Sequence, residues 1–330
     1  MKKVNWGVIS TASIGLVEVI PAMQKGQYTQ VAAIASRSLE KAQHAAQQLG
    51  IPKAYGAYDE LLADPDIDVV YIPLPNHLHI PWSIKALEAG KHVLCEKPLG
   101  MDARDARRIL EVARQYPGLK VMEAFMYRHH PQWKLAEQLV KEGKIGELRS
   151  IHAFFNYYLP DPANIRNMAG IGGGGMLDVG CYAVSLSRLI FESEPQRAFA
   201  TMQLDPLFQT DRLTAGILEF DAGIATFTCA TQLADFQQVN ILGTSGRVEL
   251  EAPFNPPIDR PTHVYLHDAN GRREFVLDIC DQFTIQGDLF SKAILEDTPV
   301  PTPLEDGIAN MAAIDALFQS ARTGGWDIVA

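Results

Sequence analysis

Along the first third of the chain, short apolar runs alternate with amphipathic stretches. Val4 to Ile9, Val31 to Ala35, Val69 to Ile72, Val93 to Cys95 and Val121 to Ala124 have the continuous apolar character of strands buried on both faces, with a shorter strand at Lys53 to Tyr55. Between them fall helical patterns at Ile14 to Lys25, Leu39 to Leu49, Tyr58 to Ala63, His79 to Ala89 with Pro81 in its first turn, Asp102 to Arg114 and Gln132 to Glu142. This alternation predicts right-handed crossovers and a doubly wound parallel sheet, a nucleotide-binding architecture.

After Gly146 the period changes. Leu148 to Tyr158, Arg197 to Leu204, Leu213 to Phe220, Ile224 to Ala230, Phe236 to Leu242, Arg247 to Leu250 and His263 to His267 read as strands. Asp221-Ala222-Gly223 and Thr244-Ser245-Gly246 are turn clusters between them. Helices are expected at Leu177 to Leu189, Asp281 to Leu295 and Glu305 to Ala321. The fold class is therefore α/β, with a Rossmann domain over residues 1–125 and an α+β domain with a large, mostly antiparallel sheet over 126–330. The C-terminal helix is free to pack back on the first domain.

Composition narrows the partners. With 330 residues, 47% hydrophobic, the chain can bury two cores, and a net charge of −10 without a Lys/Arg block argues against nucleic acid and anionic membrane. Cys95, Cys181, Cys229 and Cys280 stand far apart with no C-x-x-C, so neither a zinc site nor a disulfide framework is indicated. A reducing cytoplasm is the expected location. Lys2-Lys3 precedes a mildly apolar run, but Asn5, Gly7, Ser10, Thr11, Ser13 and Glu18 interrupt it, and it reads as a first strand rather than a secretory signal. No run approaches the roughly 20 apolar residues of a membrane helix.

The candidate chemistry lies where the first domain's strands end. Ser10, Thr11, Ala12, Ser13, Ile14 and Gly15 occupy the place of G-x-G-x-x-G, small side chains letting the backbone approach a pyrophosphate and Gly15 keeping helix packing close. At the end of the second strand, where a carboxylate would hold the ribose of NAD, the chain reads Ser36-Arg37-Ser38 with Lys41 one turn later. Hydroxyls and a guanidinium suit a 2′-phosphate, so NADP is preferred and NAD is less favoured. Pro75 and Asn76 form a tip suited to the nicotinamide half. His77 and His79, and His129 with His130, lack the carboxylate or cysteine neighbours of a metal site, and no metal is expected. His92 to Leu99 reads as a buried strand whose tip carries Glu96 and Lys97, aimed by Pro98. Partial burial would lower the lysine's pKa and suit it to proton relay or catalytic hydrogen bonding.

Gly172 to Gly175 give the backbone freedom before a helix that places Asp178 and Tyr182 on one face, at i and i+4. A tyrosine acts as general base only if its pKa near 10 falls, and an ammonium such as that of Lys97 would lower it.

Together these residues resemble the glucose–fructose oxidoreductase, inositol dehydrogenase and rhizopine catabolism family of NAD(P)-dependent oxidoreductases. The resemblance spans nearly the whole chain. It rests on Gly7 to Gly15, Pro75-Asn76 with His79, Ala89 to Val93 leading into Glu96-Lys97-Pro98, Glu123 to Arg128, Gly172 to Tyr182 and Pro303 to Ala321. Tyr182, where many members have histidine, resembles the branch with dimeric dihydrodiol dehydrogenase and NADP-dependent xylose dehydrogenase. The resemblance implies cofactor contacts from Pro75, Asn76, His79, Glu96 and Lys97, a cis-like Lys97-Pro98 turn, and Lys97 with Tyr182 as the catalytic pair. It also implies substrate contacts from Tyr127, Arg128, Arg166, Asp178 and Tyr182, and a homodimer or homotetramer joined through the open face of the second sheet. The expected reaction is hydride transfer between a small-molecule sugar or polyol and NADP, first an aldose at C1. A trans-dihydrodiol or deoxy-keto sugar is the alternative substrate. A non-catalytic NADP-binding sensor or scaffold would not need Lys97, Asp178 and Tyr182 together.

Overall fold

The computed structural model describes residues 2–330, which divide into two compact units: 2–126 with 281–308, and 127–280 with 309–330. In the first unit, β1 (Val4–Ile9), β2 (Thr29–Ala35), β3 (Lys53–Tyr55), β4 (Val69–Ile72), β5 (His92–Cys95) and β6 (Val121–Glu123) form one parallel sheet in the order β3-β2-β1-β4-β5-β6. Strand order reverses at β1/β4, the switch point at which open α/β sheets bind ligands beyond their carboxyl ends. The buried residues of β1, β4 and β5 explain why their sequences read as unbroken apolar runs.

The helix Gln282–Leu295 belongs to this first unit, although residues 127–280 of the second precede it and residues 309–330 follow it in sequence. Phe290 packs against Trp6 at 5.8 Å between ring centroids, and the Trp6 indole donates to Ser291 Oγ at 3.0 Å. Asp288 accepts the backbone amides of Gln27 and Tyr28 at 2.8 Å each, satisfying the turn into β2.

The second unit carries a nine-stranded sheet of β7 (Leu148–Tyr158), β8 (Arg197–Leu204), β9 (Asp211–Phe220), β10 (Gly223–Ala230), β11 (Gln232–Gly243), β12 (Gly246–Leu250), β13 (Thr262–Asp268), β14 (Gly271–Leu277) and β15 (Asp327–Ile328). Its order is β14-β13-β12-β11-β7-β10-β9-β8-β15, with β7 and β10 parallel and the remaining pairs antiparallel. The edge strands β14 and β15 escape the hydrophobic pattern. Arg272, Arg273 and Glu274 are exposed on both faces, and β15 is two residues long.

Two expected helices begin differently. Ile14 to Lys25 opens with a π-helical turn over Gly15–Val19 and becomes α-helical only at Ile20–Gln24, because Pro21 has no amide with which to extend an i→i−4 ladder. Leu177 to Leu189 likewise opens with a π-helical turn, Met176–Gly180, before the α-helix Cys181–Phe191. No helix among the described residues is long and apolar enough to cross a membrane.

Phe290→Ala is expected to destabilise the protein by about 3–5 kcal/mol, since the fully buried ring leaves a cavity against Trp6. Chemical denaturation followed by tryptophan fluorescence measures it, and a loss below about 1 kcal/mol would show that the returning helix is not a core element.

Candidate active site

In the first unit the expected cofactor residues gather at the carboxyl edge of the sheet. Ser10 ends β1 with φ +134°, a conformation side chains rarely adopt, and its Oγ accepts the Ala12 amide at 2.9 Å. Gly15 corrects one expectation. A Cβ there would lie 3.6 Å from Pro73 Cγ, an ordinary contact, so packing within the protein does not demand glycine.

At the end of β2, Ser36 is buried with its Oγ accepting the Ser38 amide, and Ser38 Oγ caps the helix Leu39–Leu49 by accepting the Lys41 amide. The two hydroxyls therefore build the turn. Arg37 and Lys41 remain exposed, Arg37 beside the Tyr58 hydroxyl. Two exposed cations at this strand end fit a 2′-phosphorylated dinucleotide.

Asn76 opens a short 3₁₀ turn after Pro75. His79, expected at the cofactor, is instead 1% exposed, and its ring nitrogens lie 2.7 Å from the Leu74 and Pro98 carbonyl oxygens. Burial pushes its imidazole down to about 4, against the pull of those carbonyls, so the ring is neutral and its single N–H donates to one of the two. Glu96 accepts the Tyr71 hydroxyl at 2.6 Å and the Lys97 amide at 3.3 Å, fixing the backbone that carries the half-buried Lys97. The Lys97-Pro98 bond is cis.

In the second unit Asp178 is a hub. It accepts from Arg166 Nε at 2.9 Å and from the Tyr157 hydroxyl. Burial, then the Asp178 charge, pushes the Tyr157 phenol far above its ordinary value, so Tyr157 stays a donor; Asp178 in turn raises the Arg166 guanidinium. Asp178 lies in the π-helical turn and Tyr182 in the α-helix that follows, so the regular i, i+4 spacing expected of them is not the one they adopt. Tyr182 is 4% exposed, its ring packed by Tyr127, Phe155 and Phe254 at centroid distances of 5.7, 5.4 and 5.2 Å.

Tyr127 and Arg128, expected to touch substrate, are buried at 0% and 6% exposure. The Tyr127 hydroxyl pairs with Ser185 Oγ at 2.7 Å and Arg128 donates to the Ser185 carbonyl at 3.4 Å, so both brace the helix that holds Tyr182. His130 caps the helix Pro131–Lys141 by accepting the Gln132 amide.

Sequence reasoning passed over Phe254 and Asp211. The segment 252–255 is tied down by Gln132, which donates to the Ala252 and Pro253 carbonyls, and by Gln237, which accepts the Phe254 and Asn255 amides. Asp211, 4% exposed, accepts the Met176 amide at 2.6 Å and the Thr214 hydroxyl at 2.9 Å. The glycine run is shaped by these neighbours. A Cβ on Gly173 would lie 2.7 Å from the Arg166 carbonyl, and one on Gly174, at φ +119°, would collide with Asp211 Oδ1.

Gly174→Ala should therefore cost about 1–3 kcal/mol, whereas Gly170→Ala, with nothing within 4 Å, should stay within about 0.5 kcal/mol. Paired thermal melts test this, and equal losses would mean that the clash with Asp211 is relieved at no cost.

Residues 4–125 match the family described as "Oxidoreductase family, NAD-binding Rossmann fold", and residues 133–249 match the GFO/IDH/MocA C-terminal domain. The chain is 43% identical to an uncharacterized oxidoreductase of Rhizobium meliloti over all of both proteins. It is 38% identical to D-xylose 1-dehydrogenase (NADP(+)) 2 of Haloferax volcanii, over 97% of this chain and 98% of that one. Among solved structures, KijD10, a 3-ketoreductase from Actinomadura kijaniata in complex with NADP and TDP-benzene, superposes with a TM-score of 0.91 at 32% identity, covering 97% of this chain and 98% of that one.

Proposed function

The chain belongs to the Gfo/Idh/MocA oxidoreductase family, and from that premise we propose that it transfers a hydride between NADP(H) and a carbinol or carbonyl carbon of a sugar. The observation that carries the reading is the pair of strand ends in the first unit. Arg37 and Lys41 stand exposed at one, where a 2′-phosphate is held in such folds, and Lys97 stands at the other on a backbone fixed by Glu96. The NADP-linked relatives support the cofactor and the substrate class.

When bound, the nicotinamide supplies or receives the hydride. The protein's own work is proton transfer and orientation. Tyr182 exchanges the proton of the reacting hydroxyl, and Lys97 supplies the positive charge that stabilises the developing oxyanion. Asp178 holds Arg166 by one edge of its guanidinium, leaving the two terminal nitrogens for substrate oxygens. Aldose oxidation at C1 is the first substrate assignment. Reduction of a deoxy-keto sugar is the second, favoured by the 34% identity, over 98% of this chain, to the dTDP-3,4-didehydro-2,6-dideoxy-alpha-D-glucose 3-reductase of Actinomadura kijaniata.

A panel of aldoses, cyclic diols and keto sugars, followed by nicotinamide absorbance with NADP(H) and NAD(H), tests this. NADP reduction by an aldose is the expected outcome, and activity confined to NAD would overturn the cofactor assignment. Lys97→Met should lower kcat by roughly 10² to 10⁴ with NADPH binding intact. Arg37→Ala should weaken NADPH roughly 10- to 100-fold and leave NADH unchanged.

The open face of the nine-stranded sheet supports self-association in a dimer or tetramer. Phe154, Ile224 and Phe236 are exposed there, and a cavity of about 260 Å³ lies among Phe154, Phe199, Ile217 and Thr226. Phe154→Asp should reduce the mass measured by light scattering, and an unchanged mass would place the interface elsewhere.

A further inference from the structure

Asp211 opens β9 with a carboxyl held between the Gly174–Met176 segment and its own strand. Its Oδ2 accepts the Met176 amide, the first of the π-helical turn that carries Asp178. Gly174 leaves the hollow that its Oδ1 fills, and a Cβ on Gly175 would stand 3.3 Å from its carbonyl oxygen. Thr214, from the same strand, donates the second hydrogen bond.

We propose that Asp211 is a positioning residue for the reaction: its carboxylate pins the start of the turn bearing Asp178, and so sets the helix bearing Tyr182. The assignment rests on the reading of Asp178 and Tyr182 given above. No sugar or cofactor need touch Asp211 for it to act.

The charged and titratable groups facing it are Asp178 on the turn, Tyr157 on β7 and Cys229 on β10. Its own hydrogen-bond donors, Met176 N–H and the Thr214 hydroxyl, are both neutral. Burial, then the Met176 and Thr214 hydrogen bonds in opposition, and last the nearby Asp178 charge leave the carboxyl raised to about 6. A carboxyl with a raised pKa ionises as pH climbs through that value, and the ionised form is the better acceptor for both donors. Protonation below it weakens the hold on the turn.

The test compares pH profiles of kcat and kcat/KM for the wild type, Asp211→Asn and Thr214→Val, with NADPH affinity measured by fluorescence. The wild type should lose activity as pH falls through about 6. Asp211→Asn should lower kcat/KM roughly 10- to 100-fold at neutral pH, as a displaced reacting geometry does, abolish that acid limb and leave NADPH affinity unchanged. Thr214→Val, which keeps the carboxyl but removes one donor, should move the limb to higher pH, so the idea stays testable if Asp211→Asn folds poorly. An acid limb that persists in Asp211→Asn, or does not move in Thr214→Val, overturns the proposal. Tyr182→Phe separates the two levels: retained turnover there defeats the reading of the site itself. Lost turnover in Tyr182→Phe beside an unaltered Asp211→Asn defeats only the assignment of Asp211.

Discussion

His79 ties the loops after two neighbouring parallel strands through one neutral ring, set between the carbonyls of Leu74 and Pro98. Strand tips in such a sheet end in irregular backbone, and buried carbonyls there need donors that the ladder no longer provides. A neutral ring carries one N–H, so His79 donates to one of these two carbonyls and lies against the other, bringing no charge into the core. With the tips held, Glu96 can take the Tyr71 hydroxyl and the Lys97 amide, and the ammonium of Lys97 is carried on backbone with little freedom left. The chemistry of the first unit thus depends on a residue shielded from solvent.

The second unit applies the same economy to carboxylates. Asp178 binds a guanidinium and a phenol, while Asp211 binds an amide and a hydroxyl, and Gly174 gives the Asp211 carboxyl the room it needs. Around Tyr182 the constraint is apolar: Tyr127, Phe155 and Phe254 bound its ring on several sides. Polar groups set the backbone and aromatic groups set the side chain.

Much of this was legible from the amino acids. Buried parallel strands announce themselves as unbroken apolar runs, and five of the six in the first sheet emerge in that way; β3, Lys53–Tyr55, is half-buried and is carried by its place in the alternation. The charged edge strand β14 did not, because a strand solvated on both faces has no period to read. The π-helical turns were equally silent, since a pattern scanned at 3.6 residues registers only the helix that follows them. Residue type also says nothing of direction. Tyr127, Arg128 and His79 sit in motifs rich in polar groups, yet their polar atoms turn inward to Ser185, Leu74 and Pro98. Asp211 gave no signal beyond an acid before an apolar run; its importance lies in what the glycines leave empty.

The return of the helix Gln282–Leu295 to the first unit has a consequence for biosynthesis. Trp6 leaves the ribosome long before its ring partner Phe290. Until Phe290 emerges, the nascent Rossmann sheet keeps an apolar flank uncovered, with residues 127–280 of the second unit being made in between. Closure of that flank waits for synthesis of residues 281–308, and long-range closure of this kind is slow. A fragment ending before residue 281 would carry the same uncovered surface permanently, because neither unit is a single continuous segment of the chain.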